Sequence, residues 1–221
     1  MRIILTIFVT LMTLGTVSAQ TVKLDSDGRA QDYVNSILGR ATKVTDALKI
    51  TGTEKGEQVK NIVANRYFKL NDIYSERDSL KKAAATLTGA EKKTAQEAAE
   101  NLKDKNLYRT HFGFIGQLSM FLTDAEIETV KDVMTYNVVK VTYEAQCDMI
   151  PTLKDEEKVQ ILAWLKEARE YAIDAESSKK KHETFGKYKG RINNYLSKRG
   201  YNLTKEREAW AERVKARGGT L

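Results

Sequence analysis

The chain has 221 residues, 41% hydrophobic and 30% charged, a balance too apolar for a disordered polypeptide and a length that suits one domain or two small ones sharing a core. One cysteine excludes an intrachain disulfide, two histidines leave little for a metal, and a single proline permits long uninterrupted helices. The formal net charge is +7, and where it lies matters more than its size.

Met1 and Arg2 form a positive end, Ile3 to Leu14 is an apolar run, and Val17-Ser18-Ala19 is a small-residue cleavage signature before Gln20. That order reads as a secretory signal peptide over 1–19, too short and wrongly flanked to stay as a membrane anchor. The expected product is cleaved near Ala19, exported to the periplasm or beyond, and soluble, with residues 20–221 as a single all-α domain. Export argues against nucleic acid as a partner. Cys147, the only thiol, is expected to be buried and inert.

Asp27 is placed to cap a first helix on which Tyr33, Ile37, Ala41, Val44 and Leu48 recur at helical spacing. Thr51-Gly52 ends it, and Thr53 opens a second whose apolar period runs from Val59 to Leu80 through Arg66, Tyr67 and Arg77. Thr88 and Glu91 stand in capping-box register ahead of a third helix carrying Leu107, His111, Phe114, Leu118 and Phe121. The same start recurs at Thr123 and Glu126, and more loosely at Thr152 with Asp155. Repeated starts of this kind predict helical hairpins joined by tight turns.

Near 136–143 the β-branched Val138, Val139, Val141 and Thr142 disfavour helix, although Met134, Val138, Val141 and Ala145 share a helical face. The reading there is helix with an irregular segment, ended by Pro151. From Lys154 to Glu176 a clean helix carries Ile161, Trp164, Leu165, Ala168, Tyr171, Ala172 and Ala175 on one face, with Glu167, Glu170 and Asp174 on a solvated flank. Ser177-Ser178 closes it, Gly200 ends the next helix, and Thr204 can cap a last one bearing Trp210 and Val214. No segment alternates as a strand would, so the predicted fold is an all-α, multi-helix bundle.

Catalytic signatures are missing: there is no Gly-x-Ser-x-Gly elbow and no phosphate loop. His111 reads as a core or boundary residue, and His182 follows Lys179-Lys180-Lys181 in a basic turn. Neither stands in a metal-binding pair, so no catalytic residue, metal or cofactor is assigned. Charge says more. Without Arg2 the mature chain carries +6, and the segment 178–221 holds 13 Lys/Arg against 4 Glu, so the remainder is net acidic. Such asymmetry points to an anionic partner: an acidic glycan, lipopolysaccharide, an acidic protein, or an acidic patch of the same chain.

Wound as a helix, residues 182–198 turn Tyr188, Ile192, Tyr195 and Leu196 inward and bring Lys187, Arg191, Asn194 and Lys198 together on another side. Gly186 and Gly190 allow close approach beside them. An arginine fork, lysine charges, an amide and a flat tyrosine suit an acidic sugar. The candidate ligand-binding residues are therefore Lys187, Arg191, Asn194, Lys198 and Tyr201, the last being the tyrosine least committed to the interior. A solvated basic face would show the same pattern.

The blocks Met134-Thr135-Tyr136, Val141-Thr142-Tyr143, Met149-Ile150-Pro151, Glu167-Ala168-Arg169-Glu170-Tyr171-Ala172, Lys181-His182, and the run Phe185 to Leu196 resemble an exported bacterial family, domain of unknown function 3826. The resemblance spans most of the mature chain and is densest from Leu122 to Leu203. It implies an exported helical protein of polysaccharide-degrading, Bacteroides-like bacteria, with no assigned catalytic residues. A binding or accessory module for anionic glycan in polysaccharide utilisation is the resulting expectation. A weaker resemblance joins Leu87-Thr88 and Leu122-Thr123 to periplasmic helical chaperones with a Leu-Thr-x-x-Gln repeat, although Glu91 and Glu126 replace the glutamine. That keeps a holdase as an alternative. An enzyme, as the third, would bring Arg169, His182, Lys187 and Asn194 into one pocket with Tyr136.

Overall fold

A computed structural model describes residues 21–220, so the leader expected over 1–19 lies outside the described residues. Among the described residues the chain forms eight helices and no strand: α1 Gln31–Ala47, α2 Glu54–Ala84, α3 Gly89–Ser119, α4 Asp124–Met134, α5 Val138–Met149, α6 Asp155–Ala172, α7 Ser178–Lys198 and α8 Leu203–Ala216. This is the all-α bundle of hairpins that the periodicity predicts. None of these helices is long and apolar enough to cross a membrane.

Local chemistry sets several of the starts. The Thr53 hydroxyl accepts from the Gly56 N–H, Ser177 accepts from the Lys180 N–H, and Thr123 with Glu126 closes a full capping box. Other starts depart from expectation. Thr88 occupies the cap of α3 without a side-chain bond, and α1 begins at Gln31, beyond the turn that holds Asp27. At α6 the Lys154 N–H donates to the Glu157 carboxylate, and Asn202 rather than Thr204 caps α8. At α8 a neighbouring polar residue takes the cap, whereas α1 and α3 start with no side-chain cap bond, because the path of the preceding turn decides whether a side chain reaches the free N–H.

The irregular segment is narrower than expected. It is confined to the link between α4 and α5, where Tyr136 and Asn137 take φ of 61° and 55°, both left-handed. From Val138 onward the β-branched run is helical. Val138, Val139, Thr142 and Met149 are buried there, and removal of that surface from water outweighs the small rotamer cost of branching.

Two apolar clusters result. α1 to α4 enclose Val34, Ile37, Val44, Val59, Ile62, Phe68, Phe114, Leu118 and Val130. α5 to α7 enclose Ile150, Ile161, Leu165, Ala168, Phe185, Ile192 and Leu196, with Trp164, Tyr195 and Trp210 packed at the edge. Ile173, one residue past α6, belongs to the first cluster. The joint between α6 and α7 is thus pinned onto the other half. Beside it Arg66 bonds Asp174 at 2.5 Å, the Tyr74 hydroxyl donates to the Asp174 carbonyl, and Lys181 Nζ donates to the Met134 carbonyl.

Candidate functional site

Part of the basic C-terminal segment is spent inside the molecule. Arg213 donates to the carbonyls of Asp148 and Met149 at the C-terminal end of α5. Arg217 and the Trp210 indole both donate to the Asp148 carboxylate, which they hold down at about 2. Arg199 pairs with Glu156 at 2.9 Å. Acidic groups of the same chain therefore take up some of the charge, and on the ridge of α7 they reach Arg191 through Glu167 but, among the described residues, not Lys187 or Lys198.

That ridge lines a groove of about 660 Å³ formed with α6 by Trp164, Lys187, Gly190, Arg191, Asn194, Tyr195 and Lys198. Four of the five predicted binding residues meet here because spacings of four, seven and eleven return to one side of a helix. Trp164 meets Tyr195 edge-to-face at 5.1 Å, and the Arg191 guanidinium lies 5.3 Å from the indole and 5.5 Å from the Tyr188 ring. Glu167 is 3.4 Å from Arg191. Among the described residues no carboxylate lies within 4.0 Å of Lys187 or Lys198. A Cβ at Gly190 would touch nothing within 4 Å, so its backbone is open to the groove.

Tyr201 is not in this group. Its hydroxyl donates to Glu157 at 2.6 Å and to the Thr152 carbonyl, so it ties the α7–α8 turn to the start of α6. The expectation of a free sugar platform fails because a buried carboxylate one helix away claims the phenol.

A second and larger concavity, of about 890 Å³, opens between α2, α3, α6 and α7. At its base the His111 Nδ1 lies 2.8 Å from Asp174 and its Nε2 lies 3.6 Å from Glu170. Hydrogen bonds donated to Asp174 and Glu170 push the imidazole up to about 9, so at neutral pH it is a cation. Burial pushes the Glu170 carboxyl up, but bonds from His111 and Lys131 outweigh it and hold it at about 2. Glu170 and Asp174 are therefore not the solvated flank expected of them. α6 ends at Ala172, and the turn beyond it swings Asp174 inward, where 100° spacing no longer applies. Lys187 lines this cavity as well as the groove.

The residues of the enzyme alternative do not converge. Arg169, 2% exposed, is engaged by Glu128 and Asp132 on α4. His182 is exposed and stacks on Tyr136 at 5.5 Å, while Lys187 and Asn194 lie on the groove. Cys147 is half-buried and free rather than fully enclosed, because its side of α5 is only partly covered. Trp164, Tyr108, Phe112 and Tyr171 escaped sequence reasoning as site residues. The wheel gives a residue's side of its helix but not the neighbour that side leaves uncovered. Among the described residues no three His, Cys, Asp or Glu side chains group as a metal site would need.

A family model described as "Protein of unknown function (DUF3826)" matches residues 34–216, which takes in all but the first turn of the helical array. No curated protein matches the chain.

Proposed function

The chain belongs to the DUF3826 family, and we propose that it is an exported, non-enzymatic binding or accessory module that holds an anionic glycan in the α6–α7 groove. The observation that carries this reading is the meeting of Lys187, Arg191, Asn194 and Lys198 around an indole and an open glycine. Trp164, half-buried between Arg191 and Tyr195, adds apolar ring surface to the groove wall beside which a sugar ring can lie. Arg191, stacked between Trp164 and Tyr188, is pre-oriented to present its fork to a carboxylate. Lys187 and Lys198 add charge at either end, and Asn194 can donate to or accept from hydroxyls.

A glycan array with acidic and neutral oligosaccharides, read at low and moderate salt, tests this. Acidic sugars should bind, and binding should weaken with salt. The double variant Lys187→Gln/Arg191→Gln should lose that binding while its stability changes by no more than about 1 kcal/mol, since the Arg191–Glu167 pair is exposed. Gly190→Ala should raise helix stability by about 0.5–1 kcal/mol and still weaken binding by filling the groove floor. Failure of every acidic sugar, at either salt, overturns the reading. Suppression of client aggregation without any sugar binding would favour the holdase instead.

A further inference from the structure

The groove and the larger cavity share Lys187 in their linings and so adjoin along α7, as two parts of a trough. On α7, Lys180, Thr184, Lys187, Arg191 and Lys198 fall on one stripe, about 27 Å from end to end at 1.5 Å per residue. The first three line the cavity and the last three the groove, with Lys187 common to both. α6 runs antiparallel beside this stripe and supplies an aromatic ring to each part: Trp164 to the groove and Tyr171 to the cavity. Seven residues apart, they share a face of α6 about 10 Å from one another. Tyr171 is 64% exposed, and across the cavity Tyr108 at 70% and Phe112 at 60% stand edge-to-face on α3. So many uncovered rings around one concavity are unusual for a surface with no partner.

The two parts differ in charge. In the cavity, Arg77 is paired with Glu176 at 2.8 Å, Lys103 with Asp104 at 3.0 Å and Lys180 with Glu183 at 2.8 Å. His111 is held between Asp174 and Glu170. Among the described residues, Lys187 is the one cation lining the cavity without a carboxylate within 4.0 Å. The groove beyond it is cationic, with Glu167 as its single nearby counter-charge. One end of the trough therefore suits a carboxylate, and the other suits a ring that is apolar on its faces, hydroxylated at its rim and uncharged.

Resting on the glycan-binding reading, we infer that the trough takes a heteroglycan in which acidic and neutral sugars adjoin. The acidic unit sits beside Trp164 against Arg191, Lys187 bridges the linkage, and the neutral unit stacks on Tyr171 opposite Tyr108. The aromatic cavity is thus the specificity subsite, and the cationic groove is the anchor.

The test uses the full chain and three probes: glucuronate, an alginate tetramer with every unit acidic, and a hyaluronan tetramer with acidic and neutral units alternating. Binding is read by titration calorimetry, beside an array of other alternating and uniform acidic oligosaccharides. Alternating oligomers should bind tighter than uniform ones of equal length. Tyr171→Ala should remove that preference, costing alternating oligomers about tenfold and glucuronate nothing. Tyr171→Phe should restore it. Tyr171 is exposed, so its variants fold, as a thermal melt verifies. If uniform and alternating oligomers bind alike and Tyr171→Ala alters neither, this inference falls while the groove reading stands. If no acidic sugar binds, both fall. Capture of unfolded polypeptide by the aromatic rim, with no sugar preference, also overturns it.

Discussion

His111, half-buried, and Lys181, buried, are bases whose protons pull stability in opposite directions. His111 rises from its ordinary 6.5 to about 9 on its bonds to Asp174 and Glu170, so its contribution is full below pH 6.5 and is lost as pH climbs through 9. Burial lowers Lys181 from 10.5 to about 8, with Asp174 opposing. The folded chain then gives up that proton before the unfolded chain does, and stability gains as pH climbs from 8 toward 10.5. Unfolding free energy should fall from pH 6.5 to 8, lie flat to pH 9 and rise to pH 10. Above that, unfolded tyrosines ionise while buried Tyr67, raised to about 12, does not, and stability falls again. Denaturant titrations across this range check the profile. His111→Gln should abolish the first fall and Lys181→Met the later rise, and a steady decline in the wild-type chain would contradict both assignments.

At the scale of elements, glycines that look alike in sequence differ sharply in the fold. A Cβ on Gly56 would lie 2.0 Å from the Ile50 carbonyl oxygen, in the turn that folds α2 back on α1. Gly39 and Gly113, inside α1 and α3, have nothing within 4 Å of theirs. Alanine at 56 should therefore lower the melting temperature strongly, while alanine at 39 or 113 should raise stability by about 0.5–1 kcal/mol each. Thermal melts of the three variants decide it. The same contrast explains what the sequence discloses. Thr123 with Glu126 and Thr53 are readable because donor and acceptor lie within three residues, and Ser177, expected only to close the helix before it, caps α7 at the same spacing. Thr88 with Glu91 has the same spelling and no cap bond, because the path of the entering turn is not written locally. The α7 stripe is legible from periodicity alone. Its partner Trp164 is not, because which helix lies alongside is decided by the packing of the whole second core. Tyr171 shares the apolar side of α6 on the wheel yet lies open, since the neighbours that bury Ala168 and Ala172 stop short of its ring.

For the whole molecule, the question is whether two cores behave as one. α4 passes to α5 through the left-handed pair Tyr136–Asn137, the α6–α7 joint returns to the first half through Ile173 and Asp174, and α6 is held to α4 by the Arg169 pairs with Glu128 and Asp132. Arg66, 2% exposed at its side chain, depends on Asp174 for its charge partner. Asp174→Asn should therefore cost about 3–5 kcal/mol by leaving that guanidinium buried with no counter-ion. It should also separate what is expected to be a single transition into two. Trp164 and Trp210 both lie at the second core, so their fluorescence reports that half, and circular dichroism reports all eight helices. Coincident curves in the wild-type chain and divergent ones in Asp174→Asn are the expected result. Divergence already in the wild-type chain would mean that the halves fold independently.

Ile173 also has a mechanical meaning. Tension applied between the two ends of the chain would load the α4–α5 link, the one covalent path between the halves. The α6–α7 joint, docked sideways into the first core, would bear that load in parallel, as a rivet does beside a hinge. A ligand lying along α6 and α7, and bordered by Tyr108 of α3, would stiffen the hairpin that carries the rivet and brace it against the first half, so occupancy of the trough would be felt as resistance to extension.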